Sequence, residues 1–447
     1  MSELTISCTA GRITGLVDGD VATYHSVPYA DFPGPFEPSV PLAGGMDIDA
    51  RAARPQEVAM TITTPAQARD GSDCPVIVYI HGGRFESGTH EDPRADGAYN
   101  ARHGIVQVQL GYRVGLEGFA RFKRDEPNRY RGIDDCVLGL EWVQRNIEAF
   151  GGDPTNVTVI GQSAGATTAL WLARRDHYRG AFRRVVALSP CFPRASFEQR
   201  KATLRTVLGK PVTRESLTDL AERKPGKLAK AYKRFRTVYS LDMALGPAPL
   251  DCRQLADVPL LVSSTLHEYC DMPAAKKLDA GAHPRRLLKV LSRFMGLEPA
   301  RFGYWWGKAT AIAPERPAGL FIGDTQTRRW VSQVATHAPG ATWLMEFRNS
   351  QGLALHCADL RYVFGVHAEM NPDSQSGRAA ARINGVIRRF VASGTPGWDE
   401  YRAAQETGAR PAMVFDLATG EHSIESGILD YVANSFPPIE KTADLEG

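Results

Sequence analysis

Six apolar runs rich in β-branched and aliphatic residues recur along the chain, separated by segments with helical periodicity. The first three runs are CPVIVYIHGG (74–83), GIVQVQLGYR (104–113) and NVTVIG (156–161). The others are RRVVALSP (183–190), VPLLVSST (258–265) and ATWLMEF (341–347). Continuous apolar runs of strand length predict strands that are buried on both faces, as in a parallel sheet.

The segments between these runs complete an α/β pattern. Residues 134–154 have apolar positions at helical spacing and a glycine pair near their end, which predicts a crossover helix. Two longer stretches, 195–245 and 273–335, are mostly helical in pattern, and we interpret them as insertions that form a cap above the sheet. The basic run 222–239 in the first stretch is typical of a solvated helix face, or else of a surface for an acidic partner.

Charge and hydropathy narrow the range of partners. Among 447 residues, 53 Lys and Arg nearly balance 50 Asp and Glu, so the net charge is only +3. Such a balance gives no general field to recruit nucleic acid or an anionic membrane, and we predict neither partner. The N-terminal sequence lacks a signal-peptide pattern, and no apolar run approaches the roughly 20 residues that span a bilayer. These features predict a soluble, cytoplasmic protein.

The seven cysteines are an odd number, widely scattered and without a CxxC pair, which predicts free thiols. Cys357 adjoins His356 and is a candidate nucleophile, although adjacent side chains rarely face each other. The pair His267 and Glu268 opens an HExxH-like pattern, but Asp271 stands where the second histidine belongs. We therefore predict no metal site and no cofactor.

Ser163 lies between Gly161 and Gly165, directly after an apolar run and directly before small helix-forming residues. A serine hydroxyl is a weak nucleophile unless a base contacts it and a sharp turn exposes it. GxSxG between a strand and a helix provides that turn, and the N–H group after the serine faces the developing oxyanion. Ala164 would supply this N–H group. The alternative is a glycine-rich turn with an inert serine.

The segment HGGRFESG (81–88) follows the first apolar run. A glycine pair at a strand end exposes backbone N–H groups, which the second half of an oxyanion hole requires. This second half-site favours catalysis by Ser163 over an inert turn.

Several segments together resemble the type B carboxylesterases, the α/β-hydrolase family that includes the cholinesterases. GRITGLVDGDVATYHSVPYA (11–30) resembles the N-terminal hairpin of that family, HGGRFESG its HGGGF loop, and GYRVGLEGFA (111–120) its NYRLGxxGF stretch. The strongest match is GLEWVQRNIEAFGGDPTNVTVIGQSAGA (139–166). Further matches are VPLLVSSTLHEYCD (258–271), HCADLRYVFG (356–365), GTPGWDEY (394–401) and PAMVFD (411–416).

The resemblance implies an α/β-hydrolase fold in which 1–447 form one catalytic domain. It implies that Ser163 is the nucleophile, Glu268 the acid and His356 the base, in the chain order that these enzymes use. It also assigns the oxyanion donors, which are Gly83, Arg84 and Ala164. Phe85 and Gln162 adjoin these donors, and we predict that both contact substrate.

The residues themselves support the acid and the base. His356 and Glu268 each follow an apolar run, and ligands of parallel sheets bind at the carboxyl ends of strands. Asp271 is the rival acid, whereas His81 and His267 are candidates for supporting positions beside the site.

Two residues depart from the family pattern. Gln162 stands where glutamate is usual, which removes an anion near the imidazole of His356. Arg84 replaces the third glycine of HGGG, and an arginine is chemically tolerable there if its φ is negative.

The chain is thus expected to hydrolyse small-molecule carboxylic esters through an acyl-enzyme. The alternatives are hydrolysis or transfer on an amide, carbamate or thioester by the same triad, and a binding protein of the same fold without catalysis. The sequence leaves the oligomeric state open.

Overall fold

A computed structural model describes residues 2–248, 250–402 and 408–438 of the protein. Among these residues, 13 strands form one sheet, and two short strands form a separate pair. In chain order the strands are β1 (Ser2–Cys8), β2 (Gly11–Asp18), β3 (Val21–Val27), β4 (Ala30–Asp31), β5 (Val40–Pro41), β6 (Met46–Asp49), β7 (Met60–Pro65), β8 (Cys74–Ile80), β9 (Val106–Leu110), β10 (Gly152–Gln162), β11 (Arg184–Leu188), β12 (Leu260–Thr265), β13 (Thr342–Arg348), β14 (Pro411–Asp416) and β15 (His422–Ser426).

The centre of the large sheet is parallel, and its marginal strands pair antiparallel except β6, which pairs with β2 in parallel. The order of its main path is β1-β2-β3-β7-β9-β8-β10-β11-β12-β13-β14-β15, and β6 pairs with β2. All pairs from β9 to β14 are parallel. The six predicted apolar runs overlap β8 to β13, and most residues of these strands are buried. Burial on both faces explains why these runs are continuously apolar instead of alternating.

Sixteen α-helices are present in the described residues. They are α1 (Ala98–Arg102), α2 (Gly115–Phe119), α3 (Arg131–Asn146), α4 (Ala164–Leu172), α5 (Phe197–Leu208), α6 (Arg214–Arg223), α7 (Pro225–Val238), α8 (Pro273–Asp279), α9 (Pro284–Ser292), α10 (Phe302–Ile312), α11 (Pro317–Gly323), α12 (Arg329–His337), α13 (Leu360–Val363), α14 (Val366–Met370), α15 (Gln375–Ser393) and α16 (Asp430–Ala433).

The helix predicted before β10 is α3, which leads into a 3-10 turn at Ile147–Phe150. Gly151 ends this turn with φ +82°, a left-handed conformation that glycine adopts without steric cost. The chain then enters β10, so the glycine pair marks the junction between the helix and the strand. The mostly parallel sheet with its helices is the predicted α/β-hydrolase arrangement.

The two predicted helical stretches contain different sets of helices. Residues 195–245 contain α5, α6 and α7, and the basic run lies on α6 and α7. Residues 273–335 contain α8 to α11, a π-helical segment (Asp324–Arg328) and most of α12. Since α12 packs against β12 and β13, it is the crossover helix between those two strands.

Candidate active site

Ser163 occupies a sharp turn between β10 and α4. Its backbone has φ 56° and ψ −120°, a strained conformation for a residue with a side chain. A Cβ atom added to Gly161 would lie 2.2 Å from the carbonyl oxygen of Gly165. One added to Gly165 would lie 2.0 Å from the carbonyl oxygen of Ile80, at the end of β8. The two glycines are therefore needed because strand and helix approach each other closely around the serine.

The loop after β8 lies directly against this turn. A Cβ atom at Gly82 would be 2.5 Å from Gln162 Oε1 and 3.1 Å from Ser163 Cβ, so the loop backbone contacts both residues. The N–H groups of Gly83 and Arg84 donate to no hydrogen bond within residues 2–248, 250–402 and 408–438. Ala164 is the first residue of α4, and the first N–H groups of a helix have no intrahelical acceptor. All three predicted donors therefore have N–H groups available near Ser163.

The backbone of Arg84 differs from expectation. Its φ is +59°, and that of Phe85 is +61°, so the condition of a negative φ at Arg84 is not met. The carbonyl oxygen of Gly83 accepts hydrogen bonds from Glu86 N (2.9 Å) and Ser87 N (3.1 Å), and this turn holds the loop in the left-handed region. The Arg84 guanidinium donates from Nη2 to the carbonyl oxygen of Asp242 at 2.6 Å. The side chain thus ties the loop to the segment that follows α7.

Phe85 lies in the core. Its ring is fully buried, 4.5 Å from the ring of Phe119 between centroids, and a Cβ atom at Gly246 would lie 2.4 Å from it. The predicted substrate contact of Phe85 gains no support from this position, and its role there is to anchor the loop.

His356 and Glu268 form a close pair. Nδ1 of His356 is 2.5 Å from Glu268 Oε2, and the N–H group of His356 donates to the backbone carbonyl of Glu268 at 2.9 Å. The second carboxylate oxygen, Oε1, accepts from Ser189 Oγ (2.6 Å) and from the N–H group of Thr265 (2.8 Å). The carboxylate is buried and fully hydrogen-bonded, whereas the rival acid Asp271 is exposed to solvent. The geometry therefore favours Glu268 over Asp271 as the partner of His356.

The other ring nitrogen of His356 faces Gln162. The amide Nε2 of Gln162 lies 3.4 Å from Nε2 of His356. Within the described residues, Ser163 Oγ makes no hydrogen bond with His356. Catalytic hydrogen bonds are often long without substrate and tighten in the complex. Gln162 thus adjoins the base itself, between the oxyanion loop and the imidazole.

Sequence reasoning missed Tyr269 and Ser189. The ring of Tyr269 stacks on that of His356, with centroids 4.9 Å apart and an interplanar angle of 28°. Its hydroxyl lies 3.2 Å from Cys191 Sγ, which also contacts Thr327 Oγ1 at 3.0 Å. Ser189 directly follows β11, so the rule that sites lie at the carboxyl ends of parallel strands would have singled it out. The stacking of Tyr269 has no comparable sequence signal.

Burial and neighbouring side chains have opposite effects on the pKa of His356. Burial lowers the pKa of His356, but the neighbouring Tyr269, Cys357 and Glu268 side chains raise it, and the net pKa lies well above the ordinary value. Among these neighbours, the Glu268 carboxylate supplies the attraction for an imidazolium. The pair is therefore suited to hold positive charge on His356 when a proton arrives from a nucleophile.

Asp359 introduces a second buried carboxyl group nearby. Both of its carboxyl oxygens are buried without a hydrogen-bond partner among the described residues. Burial raises the pKa of Asp359 to about 7, and the charge of Glu268 adds to this effect. A carboxyl group in this position is stable mainly in its neutral form.

The remaining candidates lie beside the site. The ring of His81 stacks on Tyr112, and its Nδ1 donates to the carbonyl oxygen of Gly82 at 2.8 Å. Burial lowers the pKa of His81 to about 4, so the ring is neutral and braces the oxyanion loop. His267 accepts a hydrogen bond from the N–H group of Ala354 at 3.4 Å. Neither histidine contacts Ser163 through a hydrogen bond in the described part of the chain.

The described residues offer neither a metal cluster nor a membrane-spanning helix. They contain no group of three or more His, Cys, Asp and Glu side chains arranged to hold a metal ion. None of the helices in the same residues has the length and apolar character needed to cross a bilayer.

The central sheet and the strand-turn-helix elbow at Ser163 define the α/β-hydrolase class. Residues 58–268 match the profile of the carboxylesterase family. This match agrees with the resemblance found in the motifs of the chain.

Two curated relatives illustrate the extent of the match. The chain is 29% identical over 230 residues to para-nitrobenzyl esterase of Bacillus subtilis, which covers 45% of the chain and 47% of the relative. It is 31% identical over 210 residues to fumonisin B1 esterase of Sphingopyxis macrogoltabida, covering 40% of the chain and 38% of the relative. The matched part thus spans less than half the length of either relative.

Solved structures match over nearly the whole chain. A carboxylesterase of Geobacillus stearothermophilus superposes with a TM-score of 0.78 at 23% identity, covering 97% of this chain and 100% of the other. A para-nitrobenzyl esterase superposes with a TM-score of 0.75 over 95% of this chain. At 23% sequence identity, this similarity is evidence for a shared fold only.

Proposed function

We propose that the chain is a serine carboxylesterase that hydrolyses carboxylic esters through Ser163, His356 and Glu268. The observation that carries the proposal is the strained elbow of Ser163, which lies against a loop with free N–H groups and near a His356 ring paired to Glu268. The match of residues 58–268 to the profile of the carboxylesterase family supports the same reaction.

In the first step, Ser163 Oγ attacks the ester carbonyl carbon, and His356 Nε2 takes the hydroxyl proton. The Glu268 carboxylate stabilises the resulting imidazolium through Nδ1. The carbonyl oxygen becomes an oxyanion that accepts hydrogen bonds from the N–H groups of Gly83, Arg84 and Ala164. His356 then returns the proton to the alkoxy oxygen, and the alcohol leaves.

In the second step, water attacks the acyl-enzyme. His356 takes a proton from the water, the same N–H groups stabilise the second oxyanion, and Ser163 leaves with the proton from His356. The carboxylic acid is released. Both steps use protein groups and water alone, so the proposal includes no cofactor.

The substrate class is a small-molecule ester. The relatives named as esterases of para-nitrobenzyl compounds and of fumonisin B1 support this class. The triad determines that the reaction is an acyl transfer, but it does not determine the leaving group. Amides, carbamates and thioesters are therefore alternative substrates, and experiment must distinguish them from esters.

We extend the proposal to the organisation of the chain. Residues 1–447 are one catalytic domain, in which the helical stretches 195–245 and 273–335 contribute the cap, apart from the crossover helix α12 at the end of the second stretch. The hydrogen bond from Arg84 to the carbonyl oxygen of Asp242 supports contact between the first stretch and the oxyanion loop. A location in the cytoplasm stays a prediction from the sequence.

A panel of chromogenic substrates tests the function. It comprises p-nitrophenyl esters of graded acyl length, a p-nitroanilide and a p-nitrophenyl carbamate, each with wild type and with Ser163→Ala. We expect the highest kcat/KM with one of the esters, and a loss of about 10⁴ or more in kcat in Ser163→Ala. Preference for the anilide or the carbamate would favour the alternative. Equal rates in wild type and Ser163→Ala would exclude catalysis by Ser163.

A further inference from the structure

Helix α9 presents apolar side chains to solvent. Leu287, Val290 and Phe294 are 47%, 56% and 76% exposed, and Phe294 lies in the hydrogen-bonded turn that continues the helix. Leu288, on the inner side, is fully buried. At 3.6 residues per turn, the three exposed residues fall within an arc of about 60°. They form one apolar strip and are not scattered.

Cationic side chains border this strip. Arg286, Lys289 and Arg293 are exposed, and none of them forms a salt bridge within residues 2–248, 250–402 and 408–438. By the same helical geometry they lie on the adjacent arc of α9. We call the apolar strip and these three cations the α9 face.

The neighbouring helix carries a further exposed aromatic side chain. Helix α10 packs against α9, and its Tyr304 is 42% exposed. In the described residues nine large apolar side chains are exposed, and four of them lie on the α9 face or on α10. Single exposed apolar residues are normal, whereas a cluster marks an interaction surface.

We propose that the α9 face binds the surface of an anionic phospholipid bilayer. The apolar strip would enter the boundary between head groups and acyl chains, while Arg286, Lys289 and Arg293 approach the lipid phosphates. A short helix with an apolar strip beside a cationic arc is the pattern of helices that lie in the plane of a membrane interface. Charge complementarity favours a lipid surface over a second copy, because two α9 faces would bring like charges together.

This inference revises the sequence expectation of no membrane partner. The net charge of +3 describes the whole chain and hides three unpaired cations within eight positions of α9 and its following turn. Attraction to anionic lipid depends on local charge near the surface, because salt screens the more distant charges.

Vesicle binding of the full chain tests the proposal. Co-sedimentation is measured with vesicles of phosphatidylcholine and with vesicles of equal parts phosphatidylcholine and phosphatidylglycerol, at low and high salt. We expect binding to the anionic vesicles that salt weakens, and at least about tenfold weaker binding to pure phosphatidylcholine. No ester is present, so a failure here leaves the esterase proposal standing.

Matched variants locate the surface. Phe294→Ser should lower the partition coefficient about tenfold. The double variant Lys289→Gln/Arg293→Gln should lower it by more than about tenfold, since each cation near the surface contributes about fivefold. The controls are Ile424→Ser on β15, which is 57% exposed, and Lys233→Gln/Arg234→Gln on α7. Both controls should bind like wild type.

Several results would overturn the proposal. These are no binding, equal binding to both vesicle types, or an equal loss in the α9 and control variants. A further contrary result is a wild type that dimerises with concentration and fails to bind vesicles. If Phe294→Ser abolished that dimerisation, the α9 face would bind a second copy of this chain and not a lipid surface. A folded state of each variant is checked by circular dichroism before the comparison.

Discussion

The side-chain amide of Gln162 lies 3.4 Å from Nε2 of His356, the nitrogen that would take the proton of Ser163. The amide carries no charge, so it does not stabilise the imidazolium as a carboxylate would. Glutamate is usual at this position in the carboxylesterases that the motifs resemble. The substitution by glutamine therefore bears on the pH at which His356 becomes neutral.

Gln162→Glu should raise the pKa of His356 further above its ordinary value, because an anion within about 4–6 Å favours the charged form by one unit or more. The base must be neutral to act, so activity falls as the pH drops through this pKa. The acidic limb of the kcat/KM profile should move to higher pH in Gln162→Glu, and it should stay in place in Gln162→Met. If the acidic limb of Gln162→Glu stayed at the wild-type pH or moved to lower pH, residue 162 would not control the pKa of His356 in this way.

Glu268→Gln should lower kcat by roughly 10⁴, the loss seen when the acid of a related triad is neutralised. The physical reason is that Gln cannot stabilise the imidazolium at Nδ1, now 2.5 Å from the carboxylate. Steady-state kinetics with a p-nitrophenyl ester measures the loss. Asp271→Asn is the control because Asp271 is exposed, and it should retain activity. The reverse pattern would mean that the acid is misassigned.

Arg84→Gly should change hydrolysis of neutral esters by less than about tenfold, because the N–H group remains, and one oxyanion donor is worth roughly 10² to 10³ in kcat. Glycine adopts φ +59° without strain, which offsets the lost hydrogen bond to Asp242. The measurement is kcat for a neutral ester and for an ester with a carboxylate. A selective loss on the charged ester would assign substrate recognition to the side chain. A uniform loss above about 10² would contradict a role confined to the backbone N–H group and would show that the side chain itself is needed for hydrolysis.

Asp359 should make the protein less stable as the pH rises. Its folded-state pKa of about 7 lies above the ordinary carboxyl value, so the native state holds a proton that the unfolded chain releases. Stability therefore declines between the two pKa values and stays lower above pH 7. Asp359→Asn should lose less free energy of unfolding between pH 5 and pH 8 than wild type in urea titrations. Asp373→Asn, at an exposed position, should behave like wild type, and equal pH dependence of all three proteins would contradict the buried neutral state.

The sequence predicts the parts of the site that depend on local chain geometry. The elbow at Ser163 follows from a strand, two glycines and a helix in succession, and the structure explains each glycine by a backbone approach. The family resemblance assigns Glu268 and His356, and their positions after parallel strands support the assignment, because the carboxyl ends of such strands meet at one edge.

The rest depends on contacts between distant segments. The stacking of Tyr269 on His356 requires contact between the loops after β12 and β13. The hydrophobic periodicity of the sequence does not predict such a contact between distant segments. The positive φ of Arg84 results from the turn that Gly83 forms with Glu86 and Ser87, which outweighs the steric preference of an arginine. Likewise, the burial of Phe85 depends on Phe119 and Gly246, which lie far away in the chain.

Covalent labelling shows whether Ser163 is the residue that forms the acyl-enzyme. The protein is incubated with a fluorophosphonate, digested with trypsin and mapped by mass spectrometry. The account predicts one phosphonylated peptide, residues 146–174, with the adduct on Ser163, and no adduct in Ser163→Ala. An adduct on peptide 349–361, which carries His356 and Cys357, or labelling that persists in Ser163→Ala, would contradict it.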